Sequence, residues 1–184
     1  MFWFCQFVSI CLFNRGGGER LKKAVLILFL LLALFFVSTP LVAAPAVKTP
    51  FVGEMTLTLV SGGKVWVTAS GIEQVKGAGS EGSITGGISG SVTVTEDETI
   101  DLFTGVGYAH GKVVMTTADG TFEGSFVAFI TDYINMRGKA VGQGTGVYEG
   151  QKMMGSFEGH QVLSEDGVLT TVLDVEGIIL SPHS

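Results

Sequence analysis

The chain has 184 residues, enough for one ordinary domain, and its charge divides sharply near Ala46. Residues 1–46 carry four basic residues (Arg15, Arg20, Lys22, Lys23) and the single acid Glu19, whereas residues 47–184 carry seven basic and sixteen acidic residues, a net of −9. A domain so acidic, with no Lys/Arg stripe to displace counterions from a phosphate backbone, excludes nucleic acid as a partner. Both cysteines, Cys5 and Cys11, precede the division, so residues 47–184 contain no disulfide, no thiolate metal site and no cysteine nucleophile.

The N-terminal segment reads as an export or anchoring leader. Arg20, Lys22 and Lys23 precede an uncharged run from Ala24 to Val47, and its most apolar part, Ala24 to Val37, has the composition of a signal h-region. Pro40 ends that helix, and Ala44-Pro45-Ala46 places small residues for a cut after Ala46. The competing reading is an uncleaved anchor, since about 20 apolar residues span a bilayer. Either way the domain is extracytoplasmic, and its contact with a membrane is confined to residues 24–46 in the uncleaved form. A second apolar stretch, Met1 to Phe13, with Gly16-Gly17-Gly18-Glu19 behind it, fits no conventional signal peptide. Residues 1–20 are therefore read as a misassigned start, with Leu21 beginning a leader that runs to residue 46.

Residues 47–184 hold 24 glycines, and no proline falls between Phe51 and Ser181. Proline-free sequence suits an unbroken hydrogen-bonded sheet, and glycine this frequent disfavours helix. Alternation supports strands directly: Ile84, Ile88, Val92 and Val94 share one parity, and Thr85, Ser89, Ser91, Thr93 and Thr95 the other. Met55, Leu57 and Leu59, and Leu169, Thr171, Leu173, Val175 and Ile179, repeat the pattern.

Turn signals at Ser61-Gly62-Gly63, Gly77-Ala78-Gly79, Ala118-Asp119-Gly120 and Glu165-Asp166-Gly167 separate these runs. The expected strands lie near 53–60, 64–69, 71–76, 82–95, 102–117, 121–131, 137–148, 152–164 and 168–180. Residues 124–135 also fit helical spacing, although Phe122, Gly124, Phe126, Ala128 and Ile130 alternate as a strand. Eight or nine antiparallel strands avoid exposed edges by closing into a barrel or doubling into a sandwich. The expected fold class is all-β, a closed antiparallel barrel of about eight strands with a β-sandwich as the alternative, preceded by one apolar signal or anchor helix.

The segment Gly142-Gln143-Gly144-Thr145-Gly146-Val147-Tyr148-Glu149-Gly150, followed by Gly155-Ser156-Phe157-Glu158-Gly159, resembles the glycine-rich signature of allene oxide cyclase and dirigent-type barrels. The stretches 104–111 and 119–124 are similar in style to small secreted prokaryotic proteins of unknown function with this barrel. The resemblance implies an eight-stranded antiparallel barrel. It carries over no catalytic residue, and the cysteine found in some members has no counterpart here.

Candidate chemistry is sparse. Tyr108, His110, Tyr148 and Glu149 are the catalytic candidates, as polar groups that a barrel cavity would need for cyclase or isomerase chemistry. Tyr108 and Tyr148, with Trp66, are also the ligand-binding candidates, Trp66 sitting either outside or at a barrel end. Glu123 alternates against Phe122 and Phe126 and is expected outside. His160 shares parity with Glu158 and Ser156 but lacks a third convergent ligand, so no metal is assigned, and no other cofactor. Glu96-Asp97-Glu98 with Asp101 lacks the spacing of a Ca²⁺ loop and reads as a solvated acidic turn. The functional expectation is non-catalytic binding of a small apolar ligand or a partner, with the cyclase or isomerase as the alternative. Nothing in the sequence assigns an oligomeric state.

Overall fold

The computed structural model describes residues 46–165 and 167–182. The leader, its cleavage and the start at Leu21 lie outside these residues. Nine strands follow one another: β1 (Val47–Ser61), β2 (Lys64–Val67), β3 (Ile72–Gly86), β4 (Gly90–Asp101), β5 (Val106–Thr116), β6 (Gly120–Thr131), β7 (Asn135–Gly146), β8 (Lys152–Leu163) and β9 (Leu169–Ser181). From β3 to β9 each strand pairs antiparallel with the next. β1 pairs with β9 on one side and β3 on the other, which closes an eight-stranded barrel and leaves β2 as an additional strand on β3. The sandwich alternative is thereby excluded.

Residues 124–131 belong to β6, so the helical alternative there is also excluded. β6 ends in a turn whose Asp132 and Tyr133 both have positive φ, 53° and 62°.

Two turns lie away from their expected positions. Gly77-Ala78-Gly79 is not a turn but a bulge inside β3, where the register with β4 slips between Lys76 and Ala78. Gly77 takes φ of 71°, a conformation glycine adopts without the steric cost of a Cβ, and its N–H donates to Asp97 Oδ1 at 2.8 Å. The real reversal comes at residues 87–89, inside the expected strand 82–95. Likewise the expected strand from 102 starts at Val106, because residues 102–105 form a turn in which Asp101 Oδ1 accepts hydrogen bonds from Phe103 and Thr104 N–H.

The faces follow the alternation. Leu57, Ile84, Ile88, Val92, Val94, Val113, Met115, Phe122, Met153 and Leu173 form the main buried cluster, joined by Phe51 and packed against Met55, Val175 and Ile179. A smaller cluster of Ile100, Ala109, Ala128 and Ile130 sits toward one end, and Phe126, Met136 and Phe157 touch both. The opposite face of β4 presents Ser91, Thr93, Thr95 and Thr99, all exposed. The outer faces of β1, β6, β7 and β8 differ from that of β4 in exposing Val52, Val127, Val141 and Met154. Glycines keep the wall tight: at Gly124 on β6, an added Cβ would sit 1.9 Å from Val141 O on β7.

Strand direction defines two poles. At the first lie Val47, the turns at 87–89, 117–119 and 147–151, and Ser181; at the second lie the 61–71 region and the turns at 102–105, 132–134 and 164–168.

Candidate functional site

The interior is almost filled. Its cavity measures about 80 Å³ and is lined chiefly by Met55, Leu57, Ile84, Val94, Met115, Phe126 and Leu173. Small-molecule sites ordinarily need about 300 Å³ or more. The cavity of the barrel is smaller than that.

The four catalytic candidates do not converge. Inward positions on β5 are odd-numbered, with Ala109, Val113 and Met115 buried, so Tyr108 and His110 stand on the outer wall, Tyr108 at 64% exposure. Tyr148 does enter the barrel, at the first pole, where it stacks on Phe122 with ring centroids 4.7 Å apart and Thr117 Oγ1 donates to its hydroxyl at 3.4 Å. With buried Ile88 it plugs that pole, a packing role. Glu149 is exposed in the turn beyond it. Trp66 lies on β2, outside the barrel, with Lys64 Nζ 5.6 Å from its ring centroid. Glu123 is exposed on the outer wall, as its parity requires, and so are His160 and Glu158. Among the described residues, no group of three or more His, Cys, Asp or Glu side chains is arranged to hold a metal ion.

The acidic run, expected as a solvated turn, is instead the middle of β4. Register pairs Glu96 with Ala78 and Gly111, and Glu98 with Val75 and Ala109, which turns both carboxyls to the inner face. Burial, with the neighbouring Glu98 second, raises the Glu96 pKa to about 7. Burial and then Glu73 raise that of Glu98. Glu96 lines the 80 Å³ cavity with Ser80 and Thr171 and is thus a titrating group in a mainly apolar interior. Its signal was present in the sequence: Val92, Val94, Glu96, Glu98 and Ile100 keep one parity.

Two surface features remain. On the wall, a groove of about 760 Å³ crosses β5 to β9 and reaches β1, with Val52, Tyr108, Phe129, Arg137, Lys139 and Glu158 among its lining. Tyr108 and Phe129 meet edge to face at 5.2 Å, and the Arg137 guanidinium lies 5.8 Å from the Phe129 centroid. At the second pole, apolar side chains crowd the surface: Phe103 is 83% exposed, Leu163 68%, Val65 and Val67 53% each, and Leu102, Tyr133, Ile134 and Val168 are exposed as well. The Tyr133 turn that carries part of this rim is held in place, since its hydroxyl donates to Leu102 O and its ring packs where a Cβ on Gly105 would sit. A non-glycine residue in the left-handed region costs about 1–2 kcal/mol and persists where its surroundings fix it.

Comparison of the chain with protein-family models, curated proteins and solved structures gives no match.

Proposed function

We propose that this is an extracytoplasmic, non-catalytic barrel that binds a macromolecular partner through its second pole. The observation that carries this reading is the contrast between the poles. The first is closed by Ile88 and Tyr148 and exposes Val47 and Val147, whereas the second displays the larger set Phe103, Leu163, Val65, Val67, Tyr133 and Ile134 on its turns and on β2. Exposed apolar side chains scattered singly are ordinary, but a contiguous set on one end of a soluble domain marks an interaction surface. The nearly filled interior turns the reading from a small ligand toward a partner. Kinship with the allene oxide cyclase and dirigent-type barrels belongs to this proposal through the closed eight-stranded form alone, and the activity of those families is not part of it.

A photo-reactive residue in place of Phe103 tests the reading in cells that export the protein. The expected result is a discrete protein adduct from position 103 and none from position 93 on the polar wall. Equal labelling from both positions overturns it.

A further inference from the structure

The edge of β2 identifies the chemistry of the partner. β1 stays paired with β9 only as far as Thr58 opposite Thr170, and β2 pairs with β3 alone. Among the described residues, the chain from Leu59 to Val67 therefore has no strand on the side away from β3. The hydrogen bond from Thr68 N–H to Ile72 O fixes the phase of the β2–β3 hairpin. Lys64, Trp66 and Thr68 turn their backbone groups toward β3, so those of Val65 and Val67 face the free edge. Proteins commonly blunt such edges with charge, proline or a covering element. Here the exposed β2 segment is Lys64-Val65-Trp66-Val67, with one charge and three apolar side chains.

The face beside this edge is acidic. Register aligns Val67 with Glu73, so this carboxyl stands one strand from the edge on the same face as Val65 and Val67, whereas Glu98 lies a further strand in, on β4. Leu163 and Val168, flanking the β8–β9 turn, expose apolar surface at the same pole. A second copy of the chain would bring the same acidic face to the edge and meet it with like charge.

We propose that the Leu59–Val67 edge takes an extended peptide segment of the partner by strand addition, with basic side chains beside Glu73 and apolar ones beside Trp66. This rests on the pole reading above. The added strand lies two strand spacings, about 10 Å, from β3, a separation that a lysine or arginine and a glutamate span between them. Its main chain bonds to the backbone groups of Val65 and Val67, and the apolar stems of its basic residues lie along the valine side chains.

The test is amide hydrogen exchange on the full chain, expressed with its own leader and purified in mild detergent. The probe is an octapeptide of alternating valine and lysine, compared with the valine–glutamate octapeptide and with a valine–lysine octapeptide N-methylated at alternate residues. The valine–lysine peptide should slow exchange across residues 59–67 at least tenfold, and neither comparison peptide should. Val67→Pro, which removes a donor not engaged with β3, should abolish the slowing while retaining the thermal midpoint to within a few degrees. No slowing, equal slowing by the glutamate peptide, or slowing that survives both N-methylation and Val67→Pro would overturn the proposal. Slowing that grows with protein concentration in the absence of peptide also overturns it, by assigning the edge to a second copy. A discrete adduct from position 103 without edge protection leaves the pole reading standing and removes this one alone.

Discussion

The barrel body and the β2–β3–β4 end are built from one sheet and behave as two materials. In the body, strands from β3 to β9 meet partners on both sides, the interior is apolar, and Phe122, Ile84, Met115, Ile130 and Val92 are almost completely buried. At the other end the same strands β3 and β4 turn glutamates inward, β2 covers β3 on one side only, and Val65 and Val67 stay exposed. Between them lies the Gly77 bulge, which shifts the β3 register relative to β4. Closure secures the first region, and the second is left with inward carboxyls and an edge that no strand among the described residues covers. Strand pairing alone therefore does not settle where a sheet is stable: what the inner face carries decides it.

The largest expected effect probes the body. Phe126 touches both apolar clusters and meets Phe157 edge to face at 6.2 Å, so Phe126→Ala should cost about 3–5 kcal/mol through lost burial and a residual cavity. Urea unfolding measures it, and a loss below about 1 kcal/mol would erase the distinction between the two regions.

The next probes the acidic end. The folded chain holds the Glu96 proton up to about pH 7, whereas the unfolded chain releases it near 4.5. The native state thus binds more protons between those values, and stability falls as pH rises through that window and stays lower above it. Below pH 4.5 the group is protonated in both states and its ionisation adds no penalty. The penalty above pH 7 is about 3 kcal/mol, so Glu96→Gln should stabilise the protein by up to about that amount at pH 8 and by little at pH 4. Paired unfolding curves at the two pH values check the sign, and equal effects at both would place Glu96 in solvent.

The smallest expected effect is the control. Thr93 stands exposed on the wall of β4, between inward Val92 and Val94, and Thr93→Ala should change stability by less than about 0.5 kcal/mol. Thermal unfolding of the variant measures it, and a larger loss than for Phe126→Ala would invert the assignment of faces.

Much of the body was legible because period two is a local signal. The inward set of β4, β6 and β9 follows directly from Val92, Phe122 and Leu173 and their same-parity neighbours. The acidic end was not, for two physical reasons. A glycine pair marks φ freedom without saying whether the chain reverses, and Gly77 uses it for a bulge while the reversal falls at 87–89. Charged residues are also expected in solvent, an inference strong enough to hide that Glu96 and Glu98 continue the parity of Val94. The free edge of β2 is a fact of pairing and has no local signal. Of the candidate residues, Tyr108 and His110 were already outward by parity with Ala109, once β5 was given its correct inner face, and Tyr148 came inside because a turn folds back over Phe122.

Val47 is the register partner of Ser181, so the chain enters and leaves the barrel side by side, while β2 sits at the far pole. This sets the mechanical response of the domain. Pulled by its two ends, it opens like a zipper, β1 and β9 parting one hydrogen bond at a time. Held at Val47 and loaded through a strand on β2, it takes the force along the length of β1, where the pairs with β9 and β3 must slide past one another together. A tether at one pole and a grip at the other would place the strongest direction of the sheet along the line of load.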